Sequence, residues 1–247
     1  MGAGGGVTGA AGRTGEGEGH QRGCAEVGAD GLGGPMDGVC VTPGDTRRFA
    51  YAVGTFASRA AVMSGNAIAM AARAVREKAL RITGEALEVD PRDLEIVDGI
   101  VRVKGDAKSS IALATVAVMS NPLRYAFDES AQAATQFAGG TTDYSKPPVA
   151  DGEEPGLEGK EYYSPTQATF ANGMHAAIVE TDPETAEIKI LRYFVIHDCG
   201  RMINPMIVEG QVHGGVAQGV GGALYERMVY DGAGQLLNAS FMDFLRP

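Results

Sequence analysis

A chain of 247 residues, 44% apolar and 21% charged, is long enough to bury a substantial core, so one or two globular domains are expected. Its formal charge of -10 argues against a nucleic-acid partner, whose phosphates demand a basic surface, and no apolar run approaches the roughly 18–20 residues of a membrane span. Cys24, Cys40 and Cys199 are too few and too scattered for a disulfide framework, no C-x-x-C pair suggests zinc, and the start lacks a signal-peptide core, all of which points to the cytoplasm.

In chain order, residues 1–13 are dominated by Gly and Ala with a single Arg, and are expected to be flexible. Gly4, Gly6 and Gly9 spell G-x-G-x-x-G, but no strand is expected before them and no acidic residue follows at ribose-binding distance, so the context of a dinucleotide fingerprint is missing. "GHQRGCAEVGADGLGG" predicts a short helix over 20–31, and "VCVTPGDT" a strand that ends in a turn at Pro43, Gly44 and Asp45. Between Ser58 and Ile82 apolar residues recur at helical spacing, predicting the longest helix of the chain with Ser58 as its cap. "DLEIVDGIVRVKG" predicts a hairpin about Asp98-Gly99, and "SSIALATVAVMS" a short helix capped by serine. Residues 128–166 lack apolar periodicity and are expected to form a long loop, the kind that is functional or mobile in a compact domain.

"MHAAIVETDPETAEIKILRYFVIHD" predicts a second hairpin, with Met174, Ala176 and Ile178 on one face and Ile188, Ile190 and Phe194 returning on the same side. A helix should then start at Asn204 as cap and Pro205 as first residue, followed by a third hairpin that turns at Asp231 to Gly234. The fold class expected is α+β: mixed helices and antiparallel hairpins.

The helix over 204–226 contains Gly210, Gly214, Gly215, Gly219, Gly221 and Gly222, each about 0.5–1 kcal/mol worse than alanine in a helix interior. Gln211 and Gln218, seven residues apart, share one line with the side that carries Gly214, Gly215 and Gly222. Val208, Val212, Val216, Val220 and Leu224 form a separate ridge for the core. The bare face admits two explanations: close packing of backbone on backbone, or a flat polar ligand read by the amides. "TGEGEGH" (14–20) and "GTFASR" (54–59) each precede a predicted helix and could present backbone N–H groups to an anion, Arg59 adding its fork of donors; loop punctuation is the plainer reading of each alone. Neither is a P-loop.

Together these segments carry a family likeness. The order "GEGEGH … GDT … GTFASRAAVMSGNA … HDCGRMINPMIVEGQVHGGVAQGVGGALYE … GQLLNASFMDFLRP" resembles the molybdenum hydroxylases, the family of xanthine dehydrogenase, aldehyde oxidase and the aerobic carbon monoxide dehydrogenase large subunit. The resemblance implies a molybdopterin-binding domain with a first α/β lobe over 14–127, the loop over 128–166 and a second lobe over 167–247. It implies a molybdenum-molybdopterin cofactor in its cytosine dinucleotide form, bound by Gly17, Glu18, Gly19 and His20, by Thr55, Phe56, Ala57, Ser58 and Arg59, and by Gln211 on the pterin. It implies oxidative hydroxylation of a small-molecule substrate, with iron–sulfur and FAD subunits as partners and a homodimer of such heterotrimers as the assembly.

Departures from the family pattern matter as much. Glu18 stands where the family loop reads glutamine, and a carboxylate cannot donate at neutral pH and repels phosphate; Ala60 replaces a serine. The family's catalytic glutamate lies beyond "FMDFLRP", so no residue here is expected to be catalytic, no side chain is expected to ligate the metal, and the chain reads as a fragment inactive alone. The alternative is a truncated, non-catalytic homologue acting at most as an assembly partner. His197, Asp198 and Cys199 suggest a nucleophile only superficially, since neighbours along a strand face opposite sides.

Overall fold

The computed structural model describes residues 6–49, 51–121 and 152–243. The first residues of the expected flexible start and most of the expected 128–166 loop lie outside the described residues. The chain divides into two compact units, Met1–Thr166 and Gln167–Pro247.

In the first unit, β1 (Val7–Ala11) pairs in parallel with β2 (Val39–Pro43), in register from Val7 opposite Val39 to Ala11 opposite Pro43. Residues 7–11 are therefore a strand and not part of a flexible start; their Gly/Ala composition hides it because the hydrogen bonds come from a partner some thirty residues away. A parallel pair needs a crossover, and α1 (His20–Leu32) is that crossover, so the hairpins are not the whole of the sheet structure. The helix ends at Gly33 with φ 73°, its N–H bonded to Ala29 O at 2.9 Å. A Cβ at Gly33 would lie 2.5 Å from Ile96 O, so both the left-handed backbone and the close approach require glycine.

α2 (Asn66–Leu87) follows a π-helical turn at Ala61–Gly65 and runs past the expected end at Ile82, because Ile82, Thr83 and Gly84 are buried and keep paying into the core. Ser58 does not cap it: the backbone enters at Ala60 with no side-chain cap, and Ser58 has a left-handed φ of 53°. The strands β3 (Leu94–Val97), β4 (Ile100–Val103) and β5 (Asp106–Ala112) form an antiparallel sheet, the first turn made by Asp98 (φ 50°) and Gly99 (φ 75°) as the sequence predicts. Ser109 and Ser110 belong to β5, so α3 (Leu113–Met119) starts at Ala112 without a serine cap. The pairing of Ile111 with Val101 explains it, since an extended backbone there sends Ile111 into the core.

That core gathers Ala79 and Ile82 from α2, Leu94 and Ile96 from β3, Val101 from β4, Ile111 from β5, and Leu113 and Val116 from α3. Leu157, 1% exposed, joins it from an irregular stretch. The stretch is pinned by Gly156 N–H on Ser120 O at 2.9 Å and by the buried Lys78 ammonium on Glu154 O. Its described part is thus anchored coil.

In the second unit, β6 (Asn172–Thr181) and β7 (Ile188–Asp198) form an antiparallel hairpin. Ile178 opposes Arg192 but Val179 opposes Ile190, so Leu191 is an extra residue and the alternation of faces reverses there. Phe194 and Ile196 share the face of Ala176 and Met174 as expected, whereas Ile190 and Ile188 oppose Val179 and Thr181 on the other face. α4 (Pro205–Val220) begins as its sequence predicts: Asn204 Oδ1 accepts the N–H of Ile207 at 3.2 Å and Pro205 opens the first turn. It continues through a π-helical turn at Gly221–Tyr225. The third hairpin turns at Asp231–Gly234 but its pairing reduces to one bridge, Tyr230 with Leu236.

Candidate functional site

The first predicted loop ends on two left-handed glycines, Gly17 (φ 97°) and Gly19 (φ 81°), and Gly19 is the N-cap of α1. No side chain caps this helix, so the positive end of its dipole and its first backbone donors remain available. His20 is the first helical residue, with Nδ1 3.3 Å from Glu18 Oε1, while the other Glu18 oxygen accepts the backbone N–H of Glu16. Burial pushes the Glu18 carboxyl up, but the N–H groups of Glu18 and Glu16 and the charges of His20 and Arg13 outweigh it and hold it below its ordinary range. Burial, seconded by Arg13, pushes His20 down against the opposing pull of Glu18. The loop therefore holds a carboxylate beside an imidazole biased toward neutrality.

The second loop is strained. Gly54, Ala57 and Ser58 all have left-handed backbone, with φ of 82°, 52° and 53°, and the two non-glycine residues cost of order 1 kcal/mol each there. Phe56 is exposed, and the Arg59 guanidinium stacks over its ring at 4.8 Å. The Thr55 hydroxyl is buried without a hydrogen-bond partner. Arg59 lines an open cleft of about 1020 Å³ whose wall also carries Arg13, Arg48 and Lys160 against two carboxylates, Glu158 and Glu161. In a chain of charge -10 this cleft is a local concentration of cations.

Arg13 is the residue that sequence reasoning missed. It sits in the stretch read as a flexible start, yet it is 7% exposed, it interacts electrostatically with Glu18 and His20, and it hydrogen-bonds the buried Cys24 thiol. Its Nε and Nη1, like His20 Nε2, are buried without partners. The only hint in the sequence is one cation in a run of small residues.

In the second unit, Gln211 is exposed on α4, and a Cβ added at Gly210, Gly214, Gly215, Gly219 or Gly222 would meet nothing within 4 Å. Backbone packing within the described residues of the second unit does not account for these glycines. Val208, Val212, Val216 and Val220 are half-buried while the residues between them are exposed, the ridge that i to i+4 spacing predicts; Leu224, its last member, is exposed. His197 and Cys199 are exposed, and Asp198 Oδ1 only closes a turn on Gly200 N–H at 2.9 Å. Among the described residues no group of three His, Cys, Asp or Glu stands together to hold a metal ion, and no helix is long and apolar enough to cross a membrane.

Residues 1–247 match the family described as the molybdopterin cofactor-binding domain. The nicotine 6-hydroxylase large subunit of Paenarthrobacter nicotinovorans is 39% identical over 232 residues, 94% of this chain and 26% of its own length. The carbon monoxide dehydrogenase large chain of Hydrogenophaga pseudoflava is 35% identical with the same coverage, 94% of this chain and 26% of its own. The crystal structure of quinoline 2-oxidoreductase from Pseudomonas putida 86 superposes with a TM-score of 0.76 at 36% identity, covering 97% of this chain and 28% of that one. The chain thus spans about a quarter of the length of these relatives. Matched along its whole length, and mixed α+β like these structural relatives, it belongs to the molybdopterin cofactor-binding domain family and is similar to the large subunits of molybdenum hydroxylases.

Proposed function

We propose that this chain holds the molybdopterin cofactor, in its cytosine dinucleotide form, as part of a molybdenum hydroxylase large subunit. Gly17, Glu18, Gly19 and His20 and the segment Thr55, Phe56, Ala57, Ser58 and Arg59 are its binding residues in the first unit, and Gln211 is the one in the second. The observation that carries this is a set of buried polar atoms with no partner in the protein: Arg13 Nε and Nη1, His20 Nε2 and Thr55 Oγ1. Leaving a buried polar atom unsatisfied costs about 1–3 kcal/mol, so the open Arg13 donors, Thr55 hydroxyl and His20 Nε2 imply a ligand with matching acceptors and donors. A phosphate-bearing heterocycle supplies them, and a cationic cleft suits its charge.

When bound, the molybdenum centre supplies the two-electron oxidation of a small-molecule substrate with oxygen drawn from water. The chain's own residues bind and orient. The uncapped first turn of α1 offers backbone N–H groups to an anion, and Arg59, braced on Phe56, offers its fork. The open face of α4 offers a flat seat with the Gln211 amide as donor and acceptor. Relatives that are large subunits or a complex subunit support further subunits as partners; that these are iron–sulfur and FAD subunits, in a homodimer of heterotrimers in the cytoplasm, is part of the same proposal.

One observation favours the opposing reading, a homologue that binds no cofactor: the Glu18 carboxylate stays ionised where a phosphate would approach. Expression in a host that makes molybdopterin decides between them. Stoichiometric molybdenum, with an equal amount of cytidine monophosphate released by acid hydrolysis, is the expected result. Purified folded chain that carries neither refutes the proposal, and guanosine monophosphate in place of cytidine monophosphate refutes the dinucleotide assignment alone.

A further inference from the structure

Arg13 occupies a place that a cation should avoid. It follows β1 directly, and its side chain lies against the first turns of α1, where it hydrogen-bonds the thiol of Cys24 and acts on the charges of Glu18 and His20. It is buried to 7% exposure, it faces the positive end of an uncapped helix dipole, and two of its N–H groups have no acceptor. Each of the three opposes folding. Glu18 offsets part of the charge: one of its oxygens accepts the Glu16 backbone N–H, and the other lies 3.3 Å from His20 Nδ1 but has no hydrogen-bond partner of its own. Arg13 is also among the residues that line the cleft beside Arg59.

We propose that Arg13 is a cofactor-binding residue: its Nε and Nη1 take oxygens of a phosphate group at the start of α1, and its charge lets that phosphate sit beside Glu18. This rests on the reading of the chain as a molybdopterin-binding domain. A glutamine at position 18 would need no compensating cation, whereas an ionised carboxylate does, and a side-on guanidinium pair fits a tetrahedral anion better than an ammonium does. Arg13 and Glu18 are then a matched pair, each tolerable because of the other and the ligand.

The test uses the full 247-residue chain and its variants Arg13→Met, Arg13→Lys and Glu18→Gln, with inorganic pyrophosphate as the probe in calorimetric titration and with molybdenum content after expression in a cofactor-making host. Arg13→Met should leave the chain folded while weakening pyrophosphate at least tenfold and abolishing molybdenum uptake. Arg13→Lys, which keeps the charge and loses the fork, should weaken pyrophosphate several-fold, and Glu18→Gln should tighten it. A purely structural arginine behaves differently: Arg13→Met fails to fold and Arg13→Lys binds pyrophosphate like the unmodified chain, which overturns the proposal. Molybdenum uptake that survives Arg13→Met overturns it as well and leaves the cofactor reading standing. If the unmodified chain takes up no molybdenum, that reading falls, and the pyrophosphate titration alone decides Arg13: binding that is lost in Arg13→Met supports it, and no binding by either overturns it.

Discussion

Substituting Gly214 and Gly215 of α4 by alanine separates the two explanations for the bare helix face. Both positions are interior to Pro205–Val220, and a Cβ at either meets nothing within 4 Å. Alanine should therefore gain its full helix preference, about 0.5–1 kcal/mol per site, or roughly 1–2 kcal/mol for the pair. At a denaturant slope of about 2 kcal/mol per molar this is a rise of roughly 0.5–1 M in the urea midpoint of the cofactor-free chain, followed by circular dichroism at the helix band. The same two methyl groups project into the space beside Gln211, so molybdenum content after expression in a cofactor-making host should fall severalfold. A lower midpoint would show that the face is already in contact with something and would refute the open-face description. A higher midpoint with undiminished molybdenum would refute the ligand explanation of the glycines.

Three further outcomes follow from the first unit. Leu157→Ala should destabilise it by about 2–5 kcal/mol, because a 1% exposed leucine leaves a cavity among Leu113, Val116 and their neighbours; an effect below about 1 kcal/mol by urea unfolding would mean that the stretch after residue 151 is not anchored. Gly33→Ala should cost at least about 1–2 kcal/mol from its left-handed backbone alone, with the clash on Ile96 O added, and thermal unfolding that shifts by less than a degree would contradict the close approach. His20 should titrate below its ordinary 6.5, measured by its imidazole NMR shifts. The unfolded chain then takes up this proton before the folded one does, so the contribution of His20 to stability is complete above about 6.5 and is lost as the pH falls below it. Removing Arg13 should move the titration upward and removing the Glu18 charge should move it downward; no shift in either variant would mean that burial alone sets it.

The elements most legible in the sequence are those whose signal is local. Asp98-Gly99 makes a two-residue turn because both residues tolerate positive φ, and Asn204-Pro205 opens α4 because an amide cap and a fixed φ suit a first turn. Legibility fails where the decisive partner is distant. β1 has almost no strand signal of its own and exists because β2 offers it a parallel ladder. Ser109 and Ser110 look like helix caps until Val101 claims Ile111 across the sheet. An unbroken alternation along β7 places Ile188, Ile190 and Phe194 on one face, and one extra residue at Leu191 reverses it.

The same division runs through the candidate site. Glycines announce themselves, because a residue that costs helix stability six times over in one segment needs an explanation, and the described chain leaves the space above five of them empty. The charges do not. Glu18 read alone is a carboxylate misplaced against a phosphate, and Arg13 read alone is a stray cation in a run of small residues. Only the fold brings Arg13 to the start of α1, where its field reaches Glu18 and two of its donors stay unpartnered. There the apparent defect in the loop becomes half of a compensated pair, since a buried cation with open N–H groups and a half-buried carboxylate are each unfavourable in isolation and mutually stabilising together. Whether a glycine-rich loop accepts a phosphate is thus set less by the identity of one residue in the motif than by the charge that the preceding strand delivers to it.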